Sequence, residues 1–241
     1  MNIKKHQILI WITIFAITMG IFEGSVVVYL RALYYPEGFN FPLTPIDSHV
    51  AITELIRELA SLFMLLSVGI IAGKNFSQKF AWFIYSFAVW DIIYYVFLWL
   101  ILSWPDSLLT WDILFLLPII WTGPVLAPII ISLLMILLAM IIYQFNIKSN
   151  FRVIIFREDW FILILGSCVV FTAFIWDYCN FLINNITLEE LNGKSFSNKL
   201  FDLSVKYIPE SFNWIIFLVG VIFISFGTIN LYKKLLNLKK Q

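Results

Sequence analysis

Six stretches of the chain stay predominantly apolar for 19 to 26 residues, over 8–33, 50–72, 80–102, 125–143, 160–183 and 212–231, with polar connections between them. A helix rises 1.5 Å per residue and the hydrocarbon core of a bilayer is about 30 Å thick, so each stretch is long enough to cross it. The pattern predicts an all-α integral membrane bundle of six transmembrane helices forming a single domain over 1–241.

The positive charges fall in alternate connections. Lys4 and Lys5, then Lys74 and Lys79, then Lys148, Arg152 and Arg157, then Lys233, Lys234, Lys239 and Lys240 mark one side of the membrane. Glu37 and Asp47, then Asp106, then a mixed stretch from Glu189 to Glu210 mark the other. Lys and Arg are retained on the cytoplasmic side, so both termini are expected to be cytoplasmic in a multi-pass protein of the cell membrane. The first apolar run continues past Gly20 and Glu23 without a small-x-small cleavage site, and is read as a retained span rather than a signal peptide.

One segment, 105–124, breaks the pattern. The apolar run 108–120 is too short to span comfortably, and Pro118 and Pro124 each remove a backbone donor from a continuous helix. A short re-entrant or interfacial helix before the fourth span is expected here, its start capped by Asp106 or Ser107. Irregular backbone at membrane depth must be buried in protein or line a wet cavity. The alternative is a loop shaped by the prolines, with Trp104, Trp111 and Trp121 as interfacial anchors. The outer loop 184–211 is long and polar enough to carry an amphipathic helix outside the membrane; its Asn185-Ile186-Thr187 acceptor pattern is read as chance.

Composition agrees with the membrane reading: 61% of residues are hydrophobic and 13% charged, against about 25% charged in soluble domains. A net charge of +1 without a basic face argues against nucleic acid as a partner and leaves the lipid bilayer as the expected one. Cys168 and Cys179 lie on one helix about 16 Å apart, too far for a disulfide with each other.

Inside the apolar stretches and the interrupted segment sit Glu23, Glu54, Glu58, Asp91, Asp112 and Asp177, with Arg31 and Arg57 as internal counter-charges. A charge at the bilayer centre costs roughly 2.5–3.5 kcal/mol even on lenient scales, so these groups must face the bundle interior or water. Under the expected topology all of them fall in the outer half of the membrane. Glu54, Arg57 and Glu58 share one face of the second span, as do Asp91, Tyr94 and Tyr95 on the third and Asp177, Asn180 and Asn184 on the fifth. Together they predict an acidic site with an excess of four negative charges when all are ionised. Protonation, entering water or a bound cation would relieve that repulsion. Oxygen-only ligation suits a hard divalent cation such as Mg²⁺, Ca²⁺ or Mn²⁺, with Glu54, Glu58 and Asp91 as candidate ligands.

Several chemistries are excluded. His6 and His49 stand in connections and cannot hold haem across the bundle. No HExxH, GxSxG or P-loop occurs, which removes zinc-protease, nucleophile-elbow and nucleotide-driven readings. The run Phe22 to Arg31, with Trp90-Asp91-Ile92-Ile93-Tyr94-Tyr95 and Trp104-Pro105 through Trp111-Asp112, resembles a group of small uncharacterised prokaryotic membrane proteins. The resemblance covers about the first 130 residues and implies no activity; a cell inner membrane location is expected. Three functions remain open. The first is binding or transport of a cation or small polar solute at the acidic site, for which six spans suffice, particularly as a homodimer. The second is a carboxylate or metal-dependent enzyme acting on a lipid or headgroup. The third is a structural or assembly subunit whose ion pairs set helix register.

Overall fold

A computed structural model describes residues 3–148, 154–186 and 196–240, the side chains of a few at segment ends excepted; Arg152, Thr187 and Glu189 lie outside the described residues. The chain forms α1 (Ile3–Tyr34), α2 (Ser48–Ala72), α3 (Phe76–Leu102), β1 (Trp111–Phe115), β2 (Trp121–Pro124), α4 (Leu126–Lys148), α5 (Arg157–Asn185), α6 (Phe196–Lys206) and α7 (Trp214–Lys240). Six helices, all but α6, are long and apolar enough to cross a membrane, and they cover the six stretches read from the sequence except Val125, Phe212 and Asn213. Large apolar side chains such as Trp11, Ile71, Phe161 and Ile215 stand exposed around the bundle, the outward surface expected where lipid is the solvent. The chain is a polytopic integral membrane protein.

The bundle is organised around α3, which packs against α1, α2 and α4, while α5 packs most extensively on α7 and α7 also meets α4. In a bilayer, small residues let helix backbones approach. A Cβ on Gly20 of α1 would stand 2.8 Å from the Trp90 carbonyl oxygen on α3, and one on Gly220 of α7 would stand 2.9 Å from the Gly166 carbonyl oxygen on α5. The first of these contacts matters to the site, because it seats α1 against α3 one turn below Glu23 and level with Asp91.

Local chemistry sets the helix ends. Asp47 caps α2 by accepting from the His49 amide at 2.8 Å, and Asn75 caps α3 by accepting from Gln78 at 3.0 Å. At the far end of α3, Ser103 turns into the left-handed region at φ 53° and Pro105 follows, a combination that stops a helix.

The interrupted segment is not the short helix expected from the sequence but an antiparallel hairpin, in which Trp111 faces Pro124, Asp112 faces Gly123, Ile113 faces Thr122 and Phe115 faces Trp121. The ladder continues past the strands, since the Val125 and Leu126 amides donate to the carbonyls of Thr110 and Leu108 at 3.0 and 2.7 Å. Pro118 accounts for the difference. In a 13-residue helix it would delete an interior hydrogen bond and clash with the preceding turn, whereas in the connection between two strands it costs no ladder bond. The amphipathic helix expected outside the membrane is present as α6, over Phe196–Lys206.

Candidate functional site

At the end of the bundle away from both termini, α1, α2, α3, the hairpin, the tip of α5 and α6 enclose a cavity of about 690 Å³. Nine of the ten residues singled out from the sequence line it: Glu23, Arg31, Glu54, Arg57, Glu58, Asp91, Tyr94, Tyr95 and Asp112. Each helix delivers its groups by helical spacing. Glu23 and Arg31 lie eight residues apart on α1, about 12 Å along one face, and the positions 54, 57, 58 on α2 and 91, 94, 95 on α3 follow the i, i+3, i+4 rule. Between and around these polar groups the walls are apolar, with Val27, Leu30, Leu43, Leu55, Ile119 and Leu200 among them.

The charges divide into three arrangements. Arg57 bridges two acids, bonding to Glu23 across the α1–α2 contact and to Glu54 on its own helix at 2.8 Å, while Ser61 donates to Glu23 at 3.4 Å. Arg31 faces Asp112 at 3.7 Å, and its guanidinium lies over the rings of Trp104 at 3.7 Å and Phe39 at 4.6 Å. Asp112 also accepts from the Tyr95 hydroxyl at 3.1 Å. Burial pushes the Asp112 carboxyl up to about 6, against the opposing pull of Arg31, the Tyr95 hydroxyl and the Ile113 amide.

Glu58 belongs to the third arrangement, and its partners are backbone. Its carboxylate accepts from the amides of Leu116 at 2.9 Å and Leu117 at 3.0 Å, where the hairpin leaves its ladder and the chain has no strand partner. A buried amide must find an acceptor, and in this turn the acceptor comes from α2. The hairpin is thus gripped by one ionisable residue from each of α1 and α2, Arg31 and Glu58, and by Tyr95 of α3.

Asp91 is different. It lines the cavity with the Ser132 hydroxyl of α4 donating to it at 2.8 Å, and among the described residues no cation pairs with it. The neighbouring Tyr94 hydroxyl, also on the cavity wall, has no hydrogen bond among the described residues, and the Trp90 indole nitrogen is buried without a partner. Five carboxylates and two guanidiniums line the cavity, an excess of three negative charges with all ionised.

The sequence expectation fails for Asp177. It does not line the cavity but accepts from the Tyr207 hydroxyl at 2.7 Å and the amides of Glu210 and Ser211 at 3.1 and 3.2 Å, tying down the connection from α6 to α7. Asn180 and Asn184, read as its companions in a polar stripe, are exposed and do not line the cavity. Nor do Glu54, Glu58 and Asp91 form a joint ligand set: among the described residues no three His, Cys, Asp or Glu side chains converge as metal ligands.

Other polar groups were not picked out from the sequence. Ser132 is the lone serine, with no threonine, in the most apolar helix, which is the signal it carried. At the opposite end, Lys234 of α7 reaches Glu158 and Asp159 of α5 at 3.0 and 3.1 Å, and Asn230 donates to Asp159 at 2.6 Å. Asp159 is fully buried. Two acids in the first turn of α5 suit the positive end of its dipole. Compared with family models, curated proteins and solved structures, the chain matches none of them.

Proposed function

We propose that the protein binds, and as a carrier transports, a cation or small polar solute in this cavity, with Asp91 as the anionic group that receives it. The observation that carries the reading is the contrast between Asp91 and its neighbours. Glu23 and Glu54 share the Arg57 guanidinium, Asp112 faces Arg31, and Glu58 is engaged by two hairpin amides. Asp91 has one hydroxyl donor, no counter-charge among the described residues, and a large cavity in front of it. A buried carboxylate in that state gains most from a positively charged ligand. The alternation of Lys and Arg between connections supports cytoplasmic termini, an orientation in which the cavity faces the outer side of the cell membrane.

A ligand that binds only the folded protein raises its stability by about 2.7 kcal/mol at a concentration one hundred times its dissociation constant. Melting the purified protein in a nonionic maltoside detergent with Na⁺, K⁺, Mg²⁺, Ca²⁺, tetramethylammonium and tetraphenylphosphonium in turn should reveal at least one that raises Tm in the wild type and not in Asp91→Asn. Equal shifts in both proteins, or no shift with any cation, would overturn the reading.

A further inference from the structure

We infer that the ligand of this cavity is a monovalent organic cation carrying an apolar body, an amine, quaternary ammonium or phosphonium group on a hydrophobic frame, rather than a bare metal ion. The inference rests on the cation-binding reading above and specifies the chemical class.

Three observations lead to it. First, size and lining disagree with a metal ion. Mg²⁺ and Ca²⁺ need six to eight oxygen ligands at 2.0–2.6 Å. Here no three candidate ligands converge among the described residues, and four of the five carboxylates are already engaged by arginines or hairpin amides. The cavity measures about 690 Å³, the scale of sites for organic ligands, which are mostly apolar with a few polar groups that set orientation. Second, the cavity that Asp91 lines is rich in aromatic rings. Trp90, Tyr94 and Tyr95 are its neighbours along α3, and Phe115 and Phe39 also line the cavity. Aromatic faces attract organic cations at little desolvation cost, whereas a metal ion would lose its hydration shell against them. Third, the protein already holds an organic cation this way beside the cavity: the Arg31 guanidinium, weakly hydrated, lies over Phe39 and Trp104 with a carboxylate, Asp112, to one side. Asp91 stands on α3 next to Trp90 and one turn from Tyr94, all three line the cavity, and among the described residues no guanidinium pairs with this carboxylate.

In the resulting complex the cationic group sits beside Asp91 and the body extends along Val27, Leu30 and Leu55. Composition supports the sign, since an anion of the same shape would meet five carboxyl groups against two guanidiniums. An unpaired carboxylate also discriminates by charge more than by exact shape, so tolerance for the form of the apolar body is expected.

The test is equilibrium dialysis of the purified full chain in maltoside micelles with radiolabelled tetraphenylphosphonium. Tetraphenylborate serves as the isosteric anion, tetramethylammonium as the charge without the body, and Mg²⁺ as the hard cation. Saturable binding of tetraphenylphosphonium at one per chain is expected, at least tenfold weaker in Asp91→Asn and in Leu55→Trp, which fills the apolar wall and leaves the carboxylate. Tetraphenylborate should not bind saturably. If tetramethylammonium or Mg²⁺ binds through Asp91 and tetraphenylphosphonium does not, the cation site stands and the apolar body is wrong. If the two tetraphenyl ions bind alike, or neither variant weakens binding, the phosphonium is merely partitioning and the inference fails. If no cation binds at all, both readings fall together.

Discussion

Glu58 accepts two backbone amides of the hairpin turn, so its charge is less important than its oxygens. Replacing it with Gln keeps one acceptor in place, whereas Ala leaves both buried amides unsatisfied at a cost of about 1–3 kcal/mol each. Thermal melts in detergent should rank the proteins wild type, then Glu58→Gln close behind, then Glu58→Ala lower by several degrees. A Gln variant as damaged as the Ala variant would mean that the negative charge, and not the acceptor, is what the site requires. The same residue marks the limit of what single positions disclose. That Glu58 faces inward followed from its spacing with Glu54 and Arg57, because a stripe of charge on a spanning helix has nowhere else to point. That its partner would be the main chain at 116 and 117 did not, since those amides are 58 and 59 residues away and become its neighbours only once the hairpin exists. Asp177 failed for the related reason that its donors, Tyr207, Glu210 and Ser211, lie in a connection whose path no periodicity encodes.

At the scale of elements, the six spans were legible because twenty apolar residues have one stable form in lipid, while the thirteen-residue apolar run before α4 was not, being as compatible with two short strands as with a helix. Pairing between β1 and β2 decides it, and that pairing is held to the bundle by Asp112, Arg31, Tyr95 and Glu58. The Asp112 carboxyl, pushed up by burial to about 6 from 3.8, binds its proton more tightly when the hairpin is seated than when it is released to water. Its contribution to seating is therefore fully present below the ordinary carboxyl value and is lost as pH rises through about 6, a difference of roughly 1–3 kcal/mol. Hydrogen exchange of the hairpin amides, corrected for the intrinsic pH dependence of exchange, should show protection falling between about pH 4 and pH 7 in the wild type and a flat profile in Asp112→Asn. Protection that instead rises with pH would mean that the Arg31 contact outweighs burial.

For the whole molecule, the cavity matters as a route only if it opens to one side of a membrane, and its position in the bundle turns orientation into function. It lies at the end that holds the α1–α2 connection and the hairpin, while Lys74, Lys79, Lys233 and Lys234 stand at the other end, where the α2–α3 connection and the last turns of α7 lie. Odd and even spans must alternate in direction, so a single fixed end orients all six. With basic connections retained in the cytoplasm, a solute would enter the acidic cavity from outside and pass Asp91 about midway along α3. In a background carrying Cys168→Ser and Cys179→Ser, a membrane-impermeant maleimide applied to intact cells should label Asn40→Cys, exposed in the α1–α2 connection, and should reach Lys233→Cys, exposed near the end of α7, only after lysis. The reverse pattern would put the cavity mouth in the cytoplasm. Asp91 would then meet its ligand from the inside, and the protein would load its cargo for export instead of uptake.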